Sequence, residues 1–393
     1  MSRQKIAVIL SRFPYPLDKG DKLRAYHQLK ELSKLYDIHL FALTDIPVNP
    51  EHKKIVAAFC QAVHIYPLSR PGMYVQSFIS MLKGIPLQVG YFFQPHIRRK
   101  IHHELSHLTP DLVYCQLSRT ARYAVGLPYT KIIDLQDAFS ANYHRIQMQS
   151  RGLRKIFYQR ESRLMKLFEE NMLDWFDAAT IISDSDKNQI NRQPNELVVV
   201  PNGVDTEFFK PQLKPAVYDL LFSGNLSYLP NQHALSFLLE KILPRVVKSH
   251  PELRVNIAGA DMPEALRQYA SSNVTLSGWV NDIRDAYAGT KIFVAPLFTG
   301  AGLQNKLLEA MSMGIPCITS TLANSSLQAI PEKEILIADD AESFVFQINR
   351  LISDPSLRNL LSASGREFIC RRYSWAQANA PLRKLLADIM NDQ

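Results

Sequence analysis

Four cysteines in 393 residues (Cys60, Cys115, Cys317 and Cys370) stand far apart with no paired spacing. That excludes a zinc ribbon or a disulfide framework and fits a reducing cytoplasm. No charge-free apolar run reaches the length of a membrane span. The first strand is expected to begin by Ile6, which leaves no room ahead of it for a secretory signal. There is no repeat of solenoid period and no low-complexity tract. GxxxxGK followed by Ser or Thr does not occur, so the chain is not a P-loop protein. GAGLQN, from Gly300 to Asn305, lacks the third glycine of the dinucleotide fingerprint. A basic run interleaved with aromatics is also missing, and nucleic acid is not expected as a partner.

What is present points to two α/β domains. The length exceeds what one core supports, and 46% hydrophobic against 21% charged residues describes a globular chain. Short apolar runs alternate with helical patterns: Ile6 to Leu10, Ile38 to Leu43, Val63 to Leu68, Leu112 to Gln116, Lys131 to Gln136, Ala179 to Ser183 and Leu197 to Val200. The clearest helix runs from Lys22 to Tyr36, with Asp21 expected as its N-cap. Pro201 to Pro215, with three prolines and a glycine, has the composition of an interdomain linker. A second alternating series follows: YDLLFSG, RVNIAG, VTLSGWV, KIFVAPL, PCITS and ILIAD. Strands separated by helices predict parallel sheets covered on both faces, hence two Rossmann-like doubly wound domains facing a central cleft.

Charge is unevenly placed. Residues 1–200 carry 27 Lys and Arg against 18 Asp and Glu, or +9, whereas residues 201–393 carry 18 against 19, or −1. An anionic partner of the first half is expected, either a membrane surface or a phosphate-bearing substrate.

The stretch Thr299 to Thr319, TGAGLQNKLLEAMSMGIPCIT, carries the densest chemistry. A small-residue turn after an apolar strand opens a helix, and free backbone N–H groups there favour an anion. Lys306 and Glu309, three apart, share one helix face. The turn and Lys306 are expected to meet a diphosphate, and Glu309 to accept from ribose hydroxyls. The competing explanation is a solvated surface pair, which contributes only about 0–1 kcal/mol.

With these residues in view, the chain resembles the family 4 glycosyltransferases of the B-type, two-Rossmann fold. PNGVDTEFF matches that family's interdomain segment, and GWVNDIRDAYAGTKIFVAPLFTGAGLQNKLLEAMSMGIPCITS its donor-site core. FSGNLSYLPN resembles a subgroup's first strand of the second domain, and FPYPLDKGDKLRAYHQLKELSK the first loop and helix of sugar transferases of polysaccharide assembly. The resemblance implies an acceptor-binding domain over residues 1–203, a nucleotide-sugar domain over 204–375, and a terminal helix over 376–393 that crosses back to the first. It implies donor contacts at Gly224, Asn225, Gly278, Trp279, Val280, Gly302, Leu303, Gln304, Asn305, Lys306 and Glu309. The donor would be a nucleotide-diphosphate sugar used as co-substrate, with no cofactor. The family motif has a first glutamate where Ala301 stands, and the basic pair of the second domain's first loop is missing from GNLSYLPN. Diphosphate neutralisation would then lean on Lys306 and backbone N–H groups, helped by Lys19 or Arg24.

In the first domain, Lys19, Gly20 and Arg24 repeat the strand, loop and helix logic as a phosphate or acceptor site; the alternative is a capped helix with solvated basic residues. Asp137 and His144 follow the KIIDLQ strand and are the candidate catalytic groups on the acceptor side, although Asp137 could equally cap a helix. Asp184-Ser185-Asp186 imitates a metal-binding DxD, but its position predicts helix capping and no metal. Arg145 to Lys166 interleaves basic with apolar residues, and MYVQSFISMLKGIPLQVGYFF precedes it; together they suggest peripheral contact with an anionic membrane, or a buried helical hairpin. The expected function is a retaining, metal-independent transfer of sugar to a glycan or lipid-linked acceptor at the inner membrane face, the leaving diphosphate driving front-face attack. A sugar-nucleotide epimerase and a non-catalytic sugar-nucleotide or lipid-binding protein are the alternatives.

Overall fold

The computed structural model describes residues 3–190, 197–299 and 302–391, so Gly300 and Ala301 of the glycine turn lie outside the described residues. The chain divides into two compact units, one of Met1–Pro201 with Asn379–Gln393 and one of Asn202–Ala378.

The first unit is built on a seven-stranded parallel sheet: β1 (Lys5–Leu10), β2 (Asp37–Thr44), β3 (Ala62–Pro67), β4 (Leu112–Gln116), β5 (Thr130–Asp134), β6 (Ala178–Ile181) and β7 (Leu197–Val199). Their order is β3-β2-β1-β4-β5-β6-β7. The near-continuous apolar strands follow from burial on both faces. Ile6, Val8 and Leu10 of β1 enter one core with Leu29 and Leu32, while Ala7 and Ile9 enter the other with Ile97, Ile101 and Leu105. The first of these cores also takes Leu382, Leu385, Leu386 and Met390 from the terminal helix Ala380–Asn391.

The second unit has a six-stranded parallel sheet: β8 (Tyr218–Ser223), β9 (Val255–Ala258), β10 (Val274–Gly278), β11 (Thr290–Ala295), β12 (Cys317–Thr319) and β13 (Leu336–Ile337). Its order is β10-β9-β8-β11-β12-β13. All thirteen apolar runs read from the sequence are strands, with ends that differ by at most two residues.

Three local expectations change. The first helix spans Gly20–Leu32 with Lys19, not Asp21, at the N-cap position. Asp21 lies in the first turn and accepts from Arg12 Nη1 at 2.9 Å instead. The segment after Pro201 is not a free linker. Val204 pairs with Ser374, its N–H donating to Tyr373 O at 2.7 Å. A Cβ on Gly203 would stand 2.9 Å from Trp375 Cα. These contacts tie the strap into the second unit, so the boundaries fall at 201/202 and 378/379 rather than at 203/204 and 375/376.

Candidate active site

In the second sheet the connections change direction between β8 and β11, and the loops beyond those two strands therefore part and leave room for a ligand. Gly224 follows β8, Gly259 follows β9 and Gly278 ends β10. The first two are held backbone to backbone. Gly224 N donates to Ala258 O at 3.2 Å, Gly259 N to Gly278 O at 2.7 Å, and a Cβ on Gly259 would fall 1.7 Å from Gly224 O. Only glycine fits that approach, at φ of +151°.

From the other side of the switch point comes the helix Asn305–Ser312. Gly302 takes φ of +92° ahead of it, and Gln304 sits at the N-cap without a side-chain cap, its amide donating instead to Gly302 O at 3.2 Å. Asn305 Oδ1 is buried with no hydrogen-bond partner among the described residues. The helix start therefore presents backbone N–H groups that no side chain among the described residues caps, the arrangement that favours an anion.

Lys306 is not the solvated lysine of the competing explanation. It is 9% exposed, and its ammonium donates to Asn231 Oδ1 and lies 5.2 Å from the centre of the Phe222 ring. A Cβ added to Gly224 would stand 3.3 Å from Lys306 Nζ, so the lysine reaches beneath the glycine turn. Burial lowers its pKa to about 8, with Glu309 opposing the shift. Glu309 accepts from Tyr287 OH at 2.8 Å, and Ser223 Oγ lies 2.9 Å from the same hydroxyl. Burial raises the Glu309 carboxyl to about 7, against the opposing effects of Tyr287 and Lys306. The two ionisable groups thus meet polar neutral partners rather than a full counter-ion. A bound diphosphate would supply Lys306 with the missing negative charge.

The remaining donor-side positions divide. Asn225 is exposed; its amide donates to Asp261 at 2.9 Å and its side-chain oxygen accepts from Ser227 N at 2.8 Å, which fixes the loop after β8. Leu303 and Val280 pack against the core. Trp279 is 73% exposed, an aromatic face free of packing. Asn231, Gly259 and Tyr287 are missed by sequence reasoning. Gly259 ends the RVNIAG run, and a glycine closing that run, as Gly224 closes YDLLFSG, was the available signal.

The first unit corrects its candidates more strongly. Arg24 is 1% exposed and faces no solvent. Its Nε and Nη2 reach the Asp134 carboxylate at 2.7 and 3.0 Å, and Nη1 reaches Pro201 O at 3.2 Å. Thr180, Gln28 and the Gln136 N–H complete the shell of Asp134. This is a saturated internal ion pair, because Asp134 is wholly buried and only a bidentate cation can hold its charge there. Lys19 is exposed, and Gly20 begins the helix in open space with no neighbour that demands glycine. Asp137 reaches solvent at the carboxyl end of β5; its surroundings and the Asp186 carboxylate raise its pKa. His144 is exposed on the helix Phe139–Gln149, and no hydrogen bond joins it to Asp137 among the described residues. Ser183, with its hydroxyl accepting from Asp186 N at 3.1 Å, caps the short helix Asp184–Lys187. Among the described residues no group of three His, Cys, Asp or Glu side chains is placed to hold a metal ion.

Residues 218–354 match the family described as "Glycosyl transferases group 1". The chain is 23% identical to an uncharacterized 44.6 kDa protein in the cps region of Klebsiella pneumoniae, over 99% of each. It is also 23% identical to the UDP-Gal:alpha-D-GlcNAc-diphosphoundecaprenol alpha-1,3-galactosyltransferase of Escherichia coli, a match that spans 50% of this chain and 55% of that enzyme. In three dimensions it is similar to Anabaena HepE in complex with UDP, at a TM-score of 0.68 and 13% identity, over 98% of this chain and 100% of that one.

Proposed function

We propose that this chain, whose residues 218–354 match the group 1 glycosyltransferases and whose fold is similar to that of Anabaena HepE, is a hexosyltransferase that moves a sugar, with retention, from a nucleotide-diphosphate sugar to a glycan or lipid-linked acceptor. The observation that carries this reading is Lys306, buried under the Gly224 turn beside an uncapped helix start and without a full counter-ion. A diphosphate satisfies both features at once. As the sugar leaves, charge grows on the diphosphate, and a fixed ammonium with fixed N–H groups stabilises it more than the ground state. No divalent ion is required in this scheme. Glu309 holds the ribose, and Trp279 offers its face to the base.

The acceptor belongs to the first unit, with Asp137 as its polar anchor and His144 beside it. The similarity to an enzyme named for a diphosphoundecaprenol acceptor supports a lipid-linked substrate, and HepE, which binds UDP, supports a nucleotide donor. No helix among the described residues is long and apolar enough to cross a membrane. The helix Arg70–Leu82 nevertheless leaves Tyr74, Val75, Phe78, Met81 and Leu82 exposed, and the start of the helix Gly152–Met172 exposes Leu153, Ile156 and Phe157 among Arg151, Arg154 and Lys155. Arg160 Nη2 joins these two helices through Met81 O at 2.9 Å. Apolar side chains ringed by cations suit an anionic bilayer surface, and this face is proposed to rest on one.

A thermal-shift screen over nucleoside diphosphates and sugar nucleotides tests the donor. A true ligand at a hundred times its dissociation constant stabilises by about 2.7 kcal/mol. A flat response across the panel would overturn the proposal. Incubating the selected donor without acceptor should return it unisomerised, and an isomerised sugar nucleotide would make the enzyme an epimerase.

A further inference from the structure

The carboxyl edge of the first sheet holds a basic cluster that donor binding does not use. The strand order there reverses between β1 and β4, so the loops beyond them diverge. Arg12 stands just beyond β1 and Arg119 just beyond β4. They share the ring of Phe92, with guanidinium carbons 5.6 and 4.8 Å from its centre, and Arg119 also lies 5.3 Å from the centre of Phe139. They share one carboxylate as well. Asp21 Oδ2 accepts from Arg12 at 2.9 Å but lies 4.0 Å from Arg119 Nη1, beyond hydrogen-bonding reach.

Arg119 is 8% exposed, yet its donors are only partly used. With the Gln88 amide oriented to satisfy both neighbours, its carbonyl accepts from Arg119 Nε and Nη2 at 2.7 and 2.5 Å and its NH2 donates to Tyr143 at 2.9 Å. Nη1 has no acceptor among the described residues. The adjacent Ser118 hydroxyl, 1% exposed, has none either. Burial and the charge of Arg12 hold the Arg119 pKa down to about 10 in spite of Asp21, with Tyr143 and Asp45 acting only through space. Two guanidinium groups share the single contacting carboxylate of Asp21, which leaves Arg119 with an unused N–H, and the preceding residue in sequence, Ser118, carries an unused hydroxyl. A planar donor fork of this kind matches an oxyanion.

We infer that Arg119, with Arg12 and Ser118, forms an oxyanion site that holds a phosphoryl group of the acceptor. The inference rests on the first unit being the acceptor-holding one.

Pyrophosphate is the probe. Lys306→Ala removes the other diphosphate site, so phosphorus-31 line broadening in that variant reports the first unit alone. Binding is expected, and adding Arg119→Gln should weaken it about ten- to hundredfold, the effect of losing a charged hydrogen bond. Because Arg119 is buried, Ser118→Ala serves as the milder change: a few-fold loss with an unaltered circular dichroism spectrum. No pyrophosphate binding in Lys306→Ala, or equal affinity after a folded Arg119→Gln, overturns the site. In the otherwise native protein, Arg119→Gln should leave nucleoside diphosphate affinity unchanged. A parallel loss there would assign the oxyanion to the donor and overturn the acceptor assignment. Failure of every nucleoside diphosphate to bind the native protein would strike the donor reading, while pyrophosphate binding that depends on Arg119 would still stand.

Discussion

Arg24 and Lys306 occupy matching places in the two units, each on the helix that follows a loop at a switch point, and each almost wholly buried. Their surroundings differ in what is left unsatisfied. Arg24 has Asp134 in bidentate contact, and Asp134 has three further donors. Burial lowers the Arg24 pKa, but Asp134 outweighs it and the net direction is upward. Lys306 has an amide oxygen and an aromatic face, and its pKa falls. A buried cation that is fully paired holds the fold together; one that is under-paired is waiting for an anion.

The sharpest way to break this contrast is at the saturated pair. Arg24→Ala should destabilise the protein by about 3–5 kcal/mol, because Asp134 is then a buried charge without a partner. Urea denaturation reads this, and nucleoside diphosphate affinity of the folded fraction should not move. A stability change below 1 kcal/mol would place Arg24 with the ligand-binding cations.

Lys306→Met should do the reverse. Stability without ligand stays level or rises, since a desolvated ammonium is replaced by an apolar side chain of similar length. Nucleoside diphosphate affinity should fall by about 1.5–3 kcal/mol in calorimetry. Unaltered affinity would remove Lys306 from the site.

The pH dependence sharpens the same comparison. Glu309 titrates at about 7 when folded, above its ordinary 4.5, so between those values the folded protein binds more protons and stability falls as pH rises. Lys306 titrates at about 8, below its ordinary 10.5, so between those values the unfolded chain binds more protons and stability rises with pH. Each limb amounts to at most about 3.4 kcal/mol, at 1.36 kcal/mol per pKa unit. Glu309→Gln should flatten the acidic limb and Lys306→Met the alkaline one, in melts from pH 4.5 to 10.5. Limbs that persist unchanged in both variants would show that other groups set them.

The smallest effect concerns the apolar face. Arg154→Gln should cost about 1 kcal/mol of binding to anionic vesicles and nothing in donor affinity. Co-sedimentation with anionic and neutral liposomes at two salt concentrations checks it; protein that stays in the supernatant throughout would remove the bilayer from the account.

How far the sequence carried depends on which physics a feature obeys. Strands buried on both faces must be apolar runs, so every strand was legible as such. The glycine turn, Lys306 and Glu309 were legible because a helix spaces its residues regularly. The partners of Lys306 were not: Asn231 stands 75 residues away, and only the fold brings it near. Arg24 was misassigned for the same reason. Its spacing matches a phosphate-binding lysine or arginine, and nothing local announces that Asp134, 110 residues later, already occupies it. Asp21 looked like an N-cap because the helix start was placed two residues late; the earlier start frees its carboxylate for Arg12.

The first unit is discontinuous in the chain, with residues 202–378 set between its body and the helix Ala380–Asn391. During synthesis the second unit can therefore close its core while the first still lacks Leu382, Leu385, Leu386 and Met390, leaving the β7 side of that core uncovered. Order of emergence from the ribosome thus runs against order in sequence: the part translated first is the part completed last. A premature stop shortly before residue 380 would release a chain whose second unit is whole and whose first unit exposes an apolar seam, a substrate for chaperones and proteases rather than a half-enzyme.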